Sequence, residues 1–271
     1  MKDYLNQNKA LKRVVSETSE IAGYLWQRGW AERNAGNISV NITDLVQQEI
    51  IEFESNPFFK LALTYPKLAN SYFFVTGTGK RMRDLARKPM KNALIIKLNG
   101  EANGYWITSQ KIDGTNFMPT SELPTHLGIH QMIAERGSSE KVVLHTHATE
   151  LVALTHAKEF CKQDALNKLL WGMHPETIVF VPKGVGFVPY TLPGSVDIAT
   201  ETIKALQEHD VALWEKHGVF AIGKNVPDTF DIIDILAKSA RIYFMCRSAN
   251  IIPDSLTNLQ LAELKKLADL F

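Results

Sequence analysis

The segment KVVLHTHA sets two histidines, His145 and His147, two positions apart after a β-branched run. That run predicts a strand, and on a strand residues i and i+2 project from one face. Two imidazoles on one side of a strand end can share a first-row metal ion, whereas on a helix the same spacing turns them roughly 200° apart. Two histidines meeting local hydrogen bonds would leave the same motif. A metal centre needs a third ligand, and the remaining histidines are His126, His130, His156, His174, His209 and His217. His217 follows the strand candidate VALW in WEKHGVF, where the next glycine relaxes the backbone and lets a strand end turn toward a site. A surface-loop histidine is the competing reading of that motif. His126 and His130 form a rival pair, since an i, i+4 spacing on a helix also builds metal sites. They are expected instead on the partly exposed face of a helix that starts after Pro124.

Three small-residue turns offer a second kind of chemistry: RNAGN at 33–37, TGTGK at 76–80 and PTSE at 119–122. Glycine lets backbone N–H groups approach an anion, Asn, Thr and Ser add donors, and a helix starting near Ser121 presents its first amides. TGTGK has neither the G-x-x-x-x-G-K-[ST] nor the G-x-G-x-x-G spacing, so it is no nucleotide loop of either kind. Ordinary turns would carry the same residues. Glu122 stands at the predicted helix start, where a carboxylate facing a metal-bound substrate can transfer protons. Glu176 precedes the apolar run TIVFV, read as a strand.

These groups need a scaffold. From Leu11 to Trp26 apolar residues recur at helical spacing and stop at Gly29, a plausible C-cap. ISVNI, YFFV, ALIIKL, GYWIT, KVVLH, TIVFV, VALW and VFAIG are short strand candidates. Helical stretches run over Leu123 to Glu135, Ser195 to Glu208 and Asp228 to Met245, and Thr257 with Gln260 makes a capping box before a last helix. The class is α/β. NGEANG between two strands reads as a hairpin turn, so part of the sheet is antiparallel. Residues 43 to 70 lack clear period and are read as an excursion on a single domain spanning 1–271.

The 271 residues include 30 Lys+Arg against 29 Asp+Glu, for a formal net charge of +1, which favours neither nucleic acid nor an anionic membrane. Hydrophobic residues make up 45%, and every long apolar stretch is broken by charge, so no membrane segment is expected. The first residues lack the apolar core of a signal peptide. Cys161 and Cys246 form no C-x-x-C and no disulfide framework, which suits the reducing cytoplasm.

RNAGN, TGTG, PTSELPTH, HTHAT and WEKHG, in this order, resemble the class II aldolase family from about residue 20 to the last helix. The resemblance implies a three-layer α/β/α domain with a mainly antiparallel central sheet, assembled as a C4 homotetramer. It implies one zinc ion per subunit on His145, His147 and His217, with Glu122 as catalytic acid/base. It further implies a phosphate cradle of Asn34, Gly36, Asn37, Thr78, Thr120 and Ser121. Ala35 and Thr78 depart from the family's glycine and serine, changes that keep the turn and the hydroxyl. Glu176 matches a glutamate that in one branch of the family reaches the neighbouring subunit's site. WAERNAGNIS, PKGVGFVPY and LWEKHGVF resemble that branch, whose reaction is reversible cleavage of L-rhamnulose 1-phosphate to dihydroxyacetone phosphate and L-lactaldehyde. L-fuculose 1-phosphate cleavage, an epimerase or dehydratase on the same scaffold, and a non-catalytic adducin-like binding module remain alternatives. A zinc hydrolase would want an H-E-x-x-H or comparable motif, which is absent from the sequence.

Overall fold

In a computed structural model the structure describes residues 8–46, 56–109 and 117–268. Two compact units divide the chain, Met1–Leu144 with Ile222–Pro227, and His145–Ala221 with Asp228–Phe271. The secondary structure is mixed α/β and its strand pairs are mostly antiparallel.

The first unit opens with α1 (Lys9–Gln27), capped by Asn8, whose side chain accepts from the Leu11 amide. Leu11, Val15, Ile21, Ala22 and Leu25 face inward at the spacing read from sequence. β1 (Asn37–Asn41), β2 (Phe58–Lys60), β3 (Tyr72–Thr76), β4 (Ala93–Leu98) and β5 (Gly104–Ile107) pair in the order β2-β5-β4-β3-β1, every pair antiparallel. Two short helices, α2 (Met82–Leu85) and α3 (Pro89–Asn92), lead into β4. The β4–β5 connection is the hairpin expected at NGEANG, with Asn99 accepting through its side chain from Asn103 and Gly104 amides. The region set aside as an excursion supplies the edge strand β2 and a single 3-10 turn at each end, while its residues 47–55 lie outside the described residues. Phe73, Val75, Leu94, Ile96, Ile107, Leu123 and Leu127 form the core beneath α4 (Leu123–Glu135). β6 (Val142–Thr146) and β9 (Gly218–Gly223) each carry residues of both units.

In the second unit, α5 (Thr149–Leu154), α6 (Gln163–Met173) and α7 (Pro175–Phe180) precede β7 (Val185–Val188). TIVFV is therefore not a strand. Pro175 presets the first helical turn, and the buried Thr177, Ile178 and Val181 follow helical spacing, with Phe180 outside. The strand of this unit that has no counterpart among the strand candidates is β7, VGFV. Gly184 just before it and Gly186 within it dilute the β-branched signal, and the strand is held by tertiary contacts. Asn167 brackets Val185 through its side-chain amide, donating to the carbonyl at 3.0 Å and accepting from the N–H at 2.7 Å. β7 runs parallel to β8 (Val211–Trp214), which forms an antiparallel hairpin with β9. α8 (Val196–Glu208) begins one residue later than the stretch read from sequence, with Ser195 as its N-cap accepting from the Ile198 amide. α9 (Val226–Ser248) and α10 (Asn258–Ala268) complete the described chain, and Thr257 with Gln260 forms the expected capping box.

Candidate active site

Two groups of functional side chains are built separately, one in each unit. In the second unit the end of β6 and the β8–β9 turn bring three imidazoles together. His145 is buried within β6, His147 stands one residue past the strand's end, and His217 is the last residue of the hairpin turn. Ring centroids lie 5.2 Å apart for His145 and His147, 5.4 Å for His145 and His217, and 4.9 Å for His147 and His217. One nitrogen of each lies within 4.8 Å of the others, a three-ligand cluster. The strand spacing supplies the first pair. The third member depends on a tight turn, since Lys216 takes a left-handed φ of 59° immediately before His217.

Gly218 is required there. A Cβ at that position would lie 2.7 Å from the Thr146 carbonyl oxygen and 2.9 Å from both the His145 and His147 rings. Behind the cluster, His145 stacks on Phe220 at 4.3 Å between centroids, and Trp214 sits 5.0 Å from His217. The indole of Trp214 is anchored by its hydrogen bond to Thr202 Oγ1 at 2.7 Å.

His145 donates through Nδ1 to the Val219 carbonyl at 3.1 Å, which fixes the tautomer and turns the Nε2 lone pair toward a ligand. Burial, reinforced by the neighbouring His147 and His217, holds its pKa well below the ordinary imidazole value, so the ring is neutral at pH 7. Three nitrogens bound at about 2.0–2.1 Å to one zinc ion are at most about 4 Å apart, so the cluster needs only a small contraction to close on a metal. The donor set fits zinc.

In the first unit the three small-residue turns converge. The Ile38 amide donates to Thr76 Oγ1 at 3.2 Å, the Thr120 amide to the Thr76 carbonyl at 2.8 Å, and Gly77 bridges Pro119. Gly77 has no room for a side chain, because a Cβ would lie 2.1 Å from the Phe117 ring. Around this junction Asn34, Thr78 and Ser121 are exposed, Gly36 is half-buried at a φ of 80°, and Asn37 and Thr120 are buried. Glu122 is the N-cap of α4, and one carboxylate oxygen, Oε2, accepts from Asn37 Nδ2 at 2.6 Å.

His126 and His130 do not lie on a partly exposed face. They are 0% and 2% exposed, in the stripe of α4 that packs on β1. Ser39 Oγ lies 2.7 Å from His126 Nδ1 and 2.9 Å from His130 Nε2, and His126 Nε2 is hydrogen-bonded to Asn37 Oδ1. The sequence carried a signal for this: Glu122, His126 and His130 recur every four residues and Asn37 and Ser39 every two, a helix stripe and a strand face. Glu176 stands in the first turn of α7, its side chain 53% exposed and 3.0 Å from His174 Nε2.

Residues 16–244 match the family described as Class II Aldolase and Adducin N-terminal domain, a span that runs through both units. The chain is 45% identical over 265 residues to rhamnulose-1-phosphate aldolase of Bacteroides thetaiotaomicron, covering 97% of each. It is 35% identical to rhamnulose-1-phosphate aldolase of Mannheimia succiniciproducens, covering 91% of this chain and 90% of that one. Among solved structures it is similar to a sugar-phosphate aldolase from Thermotoga maritima, with a TM-score of 0.78 and 32% identity over 90% of this chain and 99% of that one.

Proposed function

The chain belongs to the class II aldolase and adducin family, and on that premise we propose that it cleaves L-rhamnulose 1-phosphate reversibly to dihydroxyacetone phosphate and L-lactaldehyde. The observation that carries the reading is the cluster of three imidazole nitrogens from His145, His147 and His217, in a chain so similar to rhamnulose-1-phosphate aldolases. In this reading one zinc ion per subunit is held by those three side chains. When bound, zinc supplies Lewis acidity, polarising the substrate's ketone and stabilising negative charge that develops on its oxygen.

The chain's own residues do the rest. Asn34, Gly36, Asn37, Thr78, Thr120 and Ser121 form the phosphate cradle through backbone amides and side-chain donors. As the bond between C3 and C4 breaks, its electron pair stays with C3 and the C4 hydroxyl becomes the aldehyde. Glu122 delivers a proton to C3 on cleavage and removes it in the reverse direction. Glu176 of a neighbouring subunit takes the C4 hydroxyl proton, which makes the C4 homotetramer the active form. A single class II aldolase domain covering both units is part of the same reading. A cytoplasmic location suits a phosphorylated substrate, whose charge keeps it from crossing lipid, and the free thiols of Cys161 and Cys246. Among the described residues no helix is long and apolar enough to cross a membrane.

The direct test supplies the purified protein with L-rhamnulose 1-phosphate and, in parallel, L-fuculose 1-phosphate, and follows dihydroxyacetone phosphate by a coupled assay. The expected result is release of the triose phosphate from the first at a kcat/KM at least about tenfold higher, a difference of about 1.4 kcal/mol in transition-state binding. Preference for the second, or release from neither by zinc-loaded protein, would overturn the assignment.

A further inference from the structure

We propose that His126 is a positioning residue for the reaction. Braced by Ser39 and His130, it fixes the Asn37 amide so that its NH2 group, and not its oxygen, faces the Glu122 carboxylate. The inference rests on the reading of Glu122 as the acid/base.

Its basis is a buried zipper between one strand and one helix. Asn37 and Ser39 lie two residues apart on β1, and Glu122, His126 and His130 lie four apart along α4. Two residues of strand rise about 6.6–6.8 Å and four residues of helix rise about 6 Å, so the two rows interleave with little mismatch. Asn37 accordingly bridges Glu122 and His126, and Ser39 bridges His126 and His130. The far end is seated against the core, with the His130 ring 4.8 Å from Phe73.

The donors and acceptors follow from chemistry. A carboxylate accepts only, so the Asn37 nitrogen faces Glu122 and its oxygen faces His126. An amide oxygen also accepts only, so His126 carries a hydrogen on Nε2. That holds whether or not Nδ1 is protonated. With His126 neutral, Nδ1 accepts from the Ser39 hydroxyl, and the Ser39 oxygen accepts from His130 Nε2. His130 stays neutral, since burial holds its pKa at about 3.

An asparagine amide is nearly symmetric in shape, so the carboxylate alone would not keep it from turning over as Glu122 gains and loses a proton. With its proton on, Glu122 no longer demands an NH2 partner, and a flipped amide would accept from it and hold back the proton that must pass to C3. The Nε2–H of His126 penalises that flip, because it would set NH2 against N–H. Asn37 is therefore kept as a donor through the catalytic cycle, returning the carboxylate to the same place and charge state.

The test is a set of variants in the zinc-loaded protein: His126→Ala, His126→Gln, Ser39→Ala, Glu122→Gln and the double variant His126→Ala/Glu122→Gln. A glutamine amide reaches about as far as imidazole Nε2 and can donate to Asn37 in its place. His126→Ala is expected to lower kcat about tenfold or more with KM changed less than about threefold, Ser39→Ala to lower it less, and His126→Gln to recover most of the loss. In the Glu122→Gln background, His126→Ala should cost less than about twofold, since it acts through the group already removed. Near wild-type turnover in Glu122→Gln would overturn the acid/base reading itself. A severe loss in Glu122→Gln with unchanged kcat in His126→Ala, no recovery in His126→Gln, or additive losses in the double variant would overturn the positioning role alone. Should His126→Ala fail to fold, the comparison of His126→Gln with His126→Leu and Ser39→Ala decides the same question, Leu being expected to lose turnover that Gln keeps.

Discussion

Each histidine at the proposed metal centre reaches the cluster by a different route: His145 from inside a buried strand, His147 from the strand's end, His217 from a hairpin turn. Purified protein is expected to hold about one zinc per chain, and His217→Ala to lose most of it, since two imidazoles bind far more weakly than three. Elemental analysis after dialysis against a mild chelator checks this, and unchanged zinc in the variant would reject the ligand set. Glu122→Gln is expected to lower kcat by at least about a hundredfold while zinc content survives, because the amide keeps the shape of the carboxylate but cannot carry the proton. Steady-state kinetics beside metal analysis separates the two effects. A turnover close to wild type would remove Glu122 from the proton transfer. At this scale the His145–His147 pair was legible because strand period alone puts i and i+2 on one side. His126 and His130 were misplaced because a helix stripe that includes two histidines looks amphipathic, and only Ser39 and Asn37 opposite them make burial tolerable.

Elements place these residues through a few backbone positions that accept no side chain. Gly218 begins β9 directly after His217, and a methyl group there would meet the Thr146 carbonyl and two ligand rings. Because the carbonyl belongs to β6 and cannot rotate away, the rings must move. Gly218→Ala is therefore expected to weaken zinc binding about tenfold or more and to cost about 1–3 kcal/mol of stability as an overpacked site. Competition with a zinc chelator and urea unfolding of the metal-free protein measure the two, and an unaltered affinity would show that the strand end has slack. The bounds of α4 and, to within one residue, of α8 were readable from local sequence, since apolar period is encoded within a few residues. TIVFV was not, because a run of only five β-branched and aromatic residues is too short for its period to tell strand from helix, and Pro175 with the buried Thr177–Ser239 hydrogen bond of 2.7 Å tips it to helix.

At the scale of the whole molecule, acid stability and assembly are the open quantities. The pKa of His130 falls from 6.5 to about 3, chiefly by burial and secondarily by His126. Below about pH 6.5 the unfolded chain takes up a proton that the folded chain refuses, so stability present above that pH is lost as pH falls toward 3, at up to about 1.4 kcal/mol per unit. Urea midpoints of metal-free protein at pH 7 and pH 5 should differ more in the wild type than in His130→Gln, and equal differences would contradict the assignment. For assembly, Glu122→Gln and Glu176→Ala are each expected to be inactive as pure oligomers, and mixed oligomers to recover part of the activity. A C4 ring joins subunits head to tail, so some interfaces pair an intact Glu122 with an intact Glu176. Native mass spectrometry establishes the mixing, and no recovery in mixed rings would leave Glu176 as a surface charge paired with His174. The sequence by itself determined the α/β class, the shared face of His145 and His147, the small-residue turns and the approximate bounds of the four longest helices, because each is written in periods and turn residues that repeat over short stretches of chain. Only the tertiary structure decided that His217 completes the cluster with His145, that Asn37 meets Glu122 across 85 positions of sequence, and that His126 and His130 are buried. Those outcomes depend on which distant segments pack together, and that choice is made by the summed burial and hydrogen bonding of the whole fold, which no local period contains.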